Sequence, residues 1–305
     1  MNLSQSSSNQ AEGEIEKSPA ERSGLMARGK KLVYRLIALY LFWCLLLFAT
    51  QRWLIFSDHM SPEPTPAEKY DASTTVLTRE IDGGRVIAWL IPGRGASAEK
   101  PAPLVVYCHG SAEIIDFQGH RIEGYRSMGV SVLMPEYRGY GRSDGQPSEQ
   151  AIVDDAVYFH DLAIKRPDVD ASRVLIHGRS LGGGIAAGLA ARRKPKALIL
   201  GSTFTSIRAM AHKYLAPGFI VCHPLYVDRV LKTLDIPVLI FHGTRDNIVP
   251  VAHGRTLRDI ARNGTYIEYD CRHNDFPGDG NEERYWGDIE GFLKSHGILA
   301  GGRGG

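Results

Sequence analysis

Val174-Leu175-Ile176-His177-Gly178-Arg179-Ser180-Leu181-Gly182-Gly183-Gly184 is the stretch whose reading decides the fold of this 305-residue chain. The apolar run Val174–His177 does not alternate, as in a strand covered on both faces, and Gly183–Ala191 after it reads as a helix. Between them stands Gly-x-Ser-x-Gly in a strand–turn–helix setting. That turn is so tight that the serine takes strained backbone angles, and the flanking glycines let the helix close on the strand. The Ser180 hydroxyl is then presented at the tip, above a helix N-terminus that favours developing negative charge. A phosphate cradle would use a similar turn. It would need a Lys after the glycines, or an acidic residue closing the following strand, and the chain has neither. Ser180 is therefore the candidate nucleophile.

The same alternation extends in both directions. Short apolar runs at Leu104–Cys108, Val130–Met134, Ala197–Leu200 and Val238–Phe241 each lead into turn residues. Amphipathic stretches follow, such as Ala151–Ile164 and Ala252–Ala261, and a last strand, Thr265–Tyr269, and last helix, Glu283–Ser295, close the pattern. Buried strands joined by helical crossovers form a parallel, doubly wound α/β sheet. Upstream, Thr74–Ile81 and Arg85–Ile91 flank Asp82-Gly83-Gly84, the signal of an antiparallel hairpin. The α/β domain is expected over 70–297, with 202–236 as a small cap insert. Phe204, Ile207, Met210, Tyr214, Leu215, Phe219, Ile220 and Leu225 in that insert suit either an acyl-binding surface or simple packing on the sheet.

Open α/β sheets carry their chemistry in the loops at the carboxyl ends of strands. In the chain order that accompanies this serine turn, an acid and then a histidine follow on later loops. The strand Val238–Phe241 runs into His242-Gly243-Thr244-Arg245-Asp246, which makes Asp246 the acid. His273 is the one histidine on the loop after the final strand, whereas His253 falls inside a helix and His296 at the end of the last one. His273 would take the Ser180 proton and return it to a leaving group, with Asp246 fixing its tautomer. Backbone donors for a tetrahedral oxyanion are expected from the Leu181 N–H and the Ser111 N–H, the latter on His109-Gly110-Ser111-Ala112-Glu113. His109 is expected to be a buried structural residue.

The N-terminal portion reads differently. Residues 1–31 form a tail, rich in Ser, Gln, Glu and Ala over 1–27, and are expected to be disordered. Leu32–Thr50 is apolar apart from Arg35, and nineteen helical residues span about 28 Å, close to a bilayer's hydrocarbon thickness. No small-x-small cleavage site follows, so 32–56 is expected to be an uncleaved transmembrane signal-anchor rather than a removed leader. Arg28, Lys30, Lys31 and Arg35 place the N-terminus in the cytosol and the body on the far side of the membrane. Residues 57–69, with Ser61-Pro62-Glu63-Pro64-Thr65-Pro66, read as an extended linker, and 298–305 as a flexible tail.

Thirty-six basic against 34 acidic side chains leave a formal charge of +2. That balance, with no concentrated basic block in the folded part, argues against a nucleic-acid partner. Cys44, Cys108, Cys222 and Cys271 form no C-x-x-C pair and no zinc-ligand spacing, so no metal is expected. Only Cys222 and Cys271 are candidates for a disulfide, in an oxidising compartment; two separate buried thiols are the expectation.

With these blocks in view, the sequence resembles the α/β-hydrolases, closest to the membrane-anchored abhydrolase-domain proteins and their bacterial relatives. The resemblance is carried by His109-Gly110-Ser111-Ala112-Glu113, Glu136-Tyr137-Arg138-Gly139-Tyr140-Gly141-Arg142-Ser143, Gly178-Arg179-Ser180-Leu181-Gly182-Gly183, His242-Gly243-Thr244-Arg245-Asp246 and His273-Asn274-Asp275. It covers residues 52 to 296 and implies an α/β-hydrolase fold and serine esterase, thioesterase or lysolipid-lipase chemistry on acyl substrates, without a cofactor. Relatives commonly carry Asn where this chain has Ser111, which alters the loop's hydrogen bonding but not its backbone donor. A peptidase on the same scaffold remains an alternative, although the best-known examples carry an extra large domain that is not expected here. A non-catalytic membrane-tethered binding protein would be expected to have lost a triad residue. A dehalogenase or epoxide hydrolase would need Asp in place of Ser180.

Overall fold

The computed structural model describes residues 19–65 and 73–300. The tail over 1–18, the residues 66–72 that include the expected start of the body, and the last five residues lie outside that range. By internal contacts the chain divides into Met1–Leu47 and Phe48–Gly305.

The first unit is dominated by one helix, α1, which runs from Pro19 to Ile55 and so ends inside the second unit. Its Arg28–Ile55 portion is long and apolar enough to cross a membrane by length and composition, and none of its most apolar window is buried. Its last turns engage the second unit, where Ile55 packs against the core and Gln51 Nε2 donates to Ile220 O.

In the second unit eight strands form one sheet. They are β1 (Thr75–Ile81), β2 (Gly84–Ile91), β3 (Ala102–Cys108), β4 (Ser131–Pro135), β5 (Val169–Arg179), β6 (Ala197–Gly201), β7 (Pro237–Gly243) and β8 (Asn263–Tyr269). Their spatial order is β1-β2-β4-β3-β5-β6-β7-β8. β1 pairs with β2, and β2 with β4, antiparallel; every other pairing is parallel. This is the mostly parallel doubly wound sheet with an N-terminal hairpin that the sequence pattern predicts.

The unalternating strands have a direct explanation. In β3, Leu104, Val106 and Cys108 enter one buried cluster and Val105 and Tyr107 another, on the opposite face. β6 and β7 divide in the same way, Leu198, Leu200, Val238 and Ile240 on one side, Ile199, Leu239 and Phe241 on the other. Helices α3 (Glu149–Ala163), α4 (Leu181–Arg192) and α7 (Ala252–Ile260) pack on the first face, and α8 (Glu282–Ser295) on the second. Each fully buried Val or Leu contributes roughly 1.5–3 kcal/mol, so both layers are strongly fixed.

Helix α2 (Gly119–Ser127) has no periodic apolar signal and was not legible in the sequence. Tertiary contacts hold it. Tyr125 is buried with its hydroxyl 2.8 Å from His177 Nδ1, and the Arg121 guanidinium lies over the Tyr285 ring. β5 begins five residues earlier than its apolar run, because Val169 pairs with Ala102 across a register shift.

The insert over 202–236 contains a single helical turn, α5 (Ile207–Met210), 3₁₀ turns at Ala211–Tyr214 and Gly218–Ile220, and α6 (Val227–Thr233). Its apolar residues divide: Phe204 and Leu225 are buried in the core, whereas Tyr214, Leu215 and Phe219 face solvent. After α1 the chain stays attached to the body. Phe56 is buried, its carbonyl accepts from the Tyr140 hydroxyl, and the Thr65 N–H and hydroxyl donate to Asp116. All four cysteines are free thiols; Cys271 is buried, but Cys222 is exposed, contrary to the expectation of two buried thiols. It sits on an irregular stretch whose N–H caps Gln51 instead of packing inward.

Candidate active site

Ser180 occupies the single position between β5 and α4, with φ 53° and ψ −119°. A non-glycine residue there costs on the order of 1–3 kcal/mol and persists only where its surroundings over-determine it. They do. The Ser180 N–H donates to Gly201 O at 2.9 Å, and its carbonyl accepts from the Thr203 hydroxyl at 2.7 Å and the Gly183 N–H at 3.0 Å. Close packing supplies the rest. A Cβ on Gly178 would come within 2.2 Å of Gly182 O, and one on Gly182 within 2.0 Å of Cys108 O. The glycines of the motif are thus needed for α4 to start directly against β3 and β5.

His273, on the loop after β8, is almost fully buried and brings Nε2 to 2.9 Å from Ser180 Oγ. Its Nδ1 lies 2.7 Å from Asp246 Oδ2, on the loop after β7. The other Asp246 oxygen accepts from the Ile248 and Val249 N–H groups at 2.9 and 2.8 Å. Burial opposes charge on Asp246, but the His242 ring beside it, the hydrogen bond and charge of His273 and the Val249 N–H outweigh it and hold the carboxyl well below the usual range. At neutral pH Asp246 is therefore an acceptor only. It follows that His273 Nδ1 carries a proton toward Asp246, and in the neutral ring Nε2 is left to accept the Ser180 hydroxyl proton. The three residues selected from sequence form one hydrogen-bonded chain.

Ser111, half-buried, lies on the loop after β3, and Leu181 is the first residue of α4. Among the described residues, neither backbone N–H donates to an acceptor within the protein. Both N–H groups are left so, as the first donors of a helix commonly are and as a turn allows.

Three features of the site escaped the sequence reading. Arg179, the variable residue just before the serine, joins the loops: its guanidinium pairs with Glu113 and donates to His273 O at 2.7 Å. Glu113 in turn accepts from the Gly110 N–H at 2.8 Å, directly before Ser111. Burial opposes its charge, but Arg179 and the Gly110 N–H lead the groups that bring its carboxyl below the usual range. His242, fully buried, sets Nε2 at 2.9 Å from Val249 O and 3.5 Å from Asp246 Oδ2, behind the acid. Glu136, buried under the first loop, faces His109 Nε2 at 3.1 Å while His109 stacks on Tyr137. His109 is thus buried, as expected. The Arg179 contacts span 66 and 94 residues and the contact of His109 with Glu136 joins separate loops, so no local motif reveals them, whereas His242 and Asp246, like Gly110 and Glu113, are close in sequence.

A cleft of about 330 Å³ lined by His160, Arg193, Lys194 and Lys196 lies at the amino ends of β5 and β6, away from the serine and the carboxyl-end loops. Among the described residues no three His, Cys, Asp or Glu side chains gather as a metal-ion set.

Comparison with known proteins adds an independent line. The family described as serine aminopeptidase, S33, matches residues 99–224. The α/β-hydrolase domain-containing protein WAV2 of Arabidopsis thaliana is 33% identical over 259 residues, covering 76% of this chain and 82% of its own. The lysophosphatidylserine lipase ABHD12 of Danio rerio is 33% identical over 190 residues, 54% of this chain and 49% of its own. Among solved structures, Thermogutta terrifontis esterase 2 superposes with a TM-score of 0.62 at 16% identity, over 78% of this chain and all of that one.

Proposed function

From the premise that the chain belongs to the α/β-hydrolase superfamily, we propose that it is a membrane-anchored serine hydrolase of acyl esters or thioesters, lysolipids included. The observation that carries this reading is the unbroken chain from Asp246 Oδ2 through His273 to Ser180 Oγ, with contacts of 2.7 and 2.9 Å.

In the reaction that follows, His273 Nε2 takes the Ser180 proton as Oγ bonds to the acyl carbonyl carbon. The carbonyl oxygen becomes an oxyanion facing the Leu181 and Ser111 N–H groups. Collapse of the tetrahedral adduct breaks the bond to the alcohol or thiol, which leaves with the proton from His273. Water then attacks the acyl-enzyme, again giving its proton to His273, and the acid departs as Ser180 regains its hydrogen. Asp246 keeps one tautomer throughout and stabilises the imidazolium. Typical oxyanion donors are worth about 3–4 kcal/mol each in the transition state.

Acyl substrates are favoured by the zebrafish relative, whose name is lysophosphatidylserine lipase. The family match to serine aminopeptidases supports amide cleavage by the same chain of groups as a second reading. The apolar Arg28–Ile55 helix supports the anchor, and Arg28, Lys30, Lys31 and Arg35 at its start favour a body on the non-cytoplasmic side.

The test is labelling of the membrane fraction with a fluorophosphonate probe. Wild type is expected to react, and Ser180→Ala and His273→Ala to lose the label. A folded wild type that does not react would remove the serine-hydrolase reading. Short acyl esters and aminoacyl amides offered to the labelled enzyme then separate esterase from peptidase.

A further inference from the structure

The insert over 202–236 holds three large apolar side chains in water. Leu215 is 76% exposed and Phe219 78%; Tyr214, just before Leu215 at the end of the preceding turn, is also exposed. Leu215 does so in a left-handed conformation, φ 54°, rarely adopted by a residue with a Cβ. Patches of this kind mark surfaces that meet something apolar.

What they meet is indicated by their neighbours. The 3₁₀ turn that carries Phe219 is fastened to the last turns of α1: Gln51 Nε2 donates to Ile220 O at 3.1 Å, and the Cys222 N–H donates to Gln51 Oε1 at 2.6 Å. Gln51 lies within the apolar Arg28–Ile55 span, four residues from its end. If that helix crosses a bilayer, the turn is fixed at the depth of the headgroups. The charge agrees: between Ser202 and Val227 the chain carries Arg208 and Lys213 and no carboxylate, a balance that suits an anionic lipid surface. The other end of the patch reaches the active site. Lys213 Nζ donates to Asn247 O and Ile248 O at 3.2 and 3.1 Å, Ile248 is itself partly exposed, and its N–H donates to Asp246.

The geometry points to Tyr214, Leu215 and Phe219 as a surface that inserts into the lipid headgroup layer and receives long-chain acyl substrates directly from the bilayer. This rests on the membrane-anchored hydrolase reading. It adds to that reading a reason for the insert's shape: the mouth of the site is held against the membrane by a contact independent of the span.

Two measurements on the full chain test it, in phosphatidylcholine vesicles containing phosphatidylserine. The first compares wild type with Leu215→Asp/Phe219→Asp on a water-soluble short acyl ester and on a long-chain lysolipid in the vesicle. The long-chain rate is expected to fall about tenfold or more while the short-ester rate stays within about twofold. Equal rates on both substrates would overturn the proposal, as would equal losses on both. The second needs no activity. With Cys44→Ala and Cys222→Ser, an environment-sensitive fluorophore on Phe219→Cys is expected to be quenched by headgroup-level doxyl lipid, and one on Ser172→Cys is not. A probe at 219 that shifts without doxyl quenching would mean burial against a second copy of the chain and would refute the lipid surface. Quenching at 219 in a protein that hydrolyses neither substrate would keep the surface and discard the hydrolase.

Discussion

Replacement of Arg179 by Met keeps the length of the side chain and removes its charge. Glu113 is then left ionised and largely buried, with the Gly110 N–H and the Gln118 amide as its remaining donors. Removing one partner of a buried pair costs 3–5 kcal/mol in general, and Glu113 is 26% exposed, which brings the expected loss to about 2–4 kcal/mol. For a unit of this size that lowers the melting temperature by roughly 5–12 °C. The second consequence is geometric. His273 O loses its 2.7 Å donor and the Ser111 loop loses its anchor, so the base and one oxyanion donor drift together. A misplacement near 1 Å costs up to about 100-fold, so kcat for a short acyl ester is expected to fall about 10–100-fold with little change in KM. The assays are thermal unfolding and steady-state kinetics on the same preparation. Arg179→Met/Glu113→Gln should recover most of the stability, because no uncompensated charge remains, but not the rate. A single variant with unchanged kcat would refute Arg179 as the link between the loops, whatever its stability.

Ser180→Gly should abolish turnover yet raise stability by about 1 kcal/mol, since glycine adopts φ 53° without strain; a drop in melting temperature would contradict the strained turn. Gly182→Ala should destabilise by at least about 3 kcal/mol, because the new methyl meets the Cys108 carbonyl, a backbone atom that cannot swing aside. Asp246 and Glu113 both have depressed pKa values in the folded chain. Their stabilisation is present above the unfolded values of about 4 and is lost as pH falls through the folded ones. Stability measured by urea titration should therefore decline below about pH 4, and Glu113→Gln should flatten that decline; an unchanged slope would show that Glu113 does not contribute.

The parts legible in the sequence share one property: their signal is local. A strand covered on both faces needs unbroken apolar residues, so β3, β5, β6 and β7 announced themselves. A serine on a strained turn needs small neighbours, so Gly178 and Gly182 marked Ser180. Asp246 and His273 followed because each sits just beyond a strand end, where chain order limits the choice. Helix α2 had no such signal; Gly119 and Gly124 disfavour a helix, and tertiary packing of Arg121, Ile122 and Tyr125 holds one there. The buried or exposed fate of Cys222, Phe219 and Leu225 was equally hidden, since each is apolar or neutral and the sequence does not say what lies opposite.

By itself, then, the sequence determined the sheet and singled out Ser180, Asp246 and His273 as candidates, because periodicity and glycine placement act over a few residues. Tertiary structure alone decided the proton positions and the alignment. Asp246 is held as an acceptor because His273, from the loop after β8, joins His242 and two backbone N–H groups of its own segment around it. Arg179 ties His273 to the Ser111 loop across 94 and 66 residues of chain. Interactions of that kind depend on through-space distance, and no spacing along the chain encodes them.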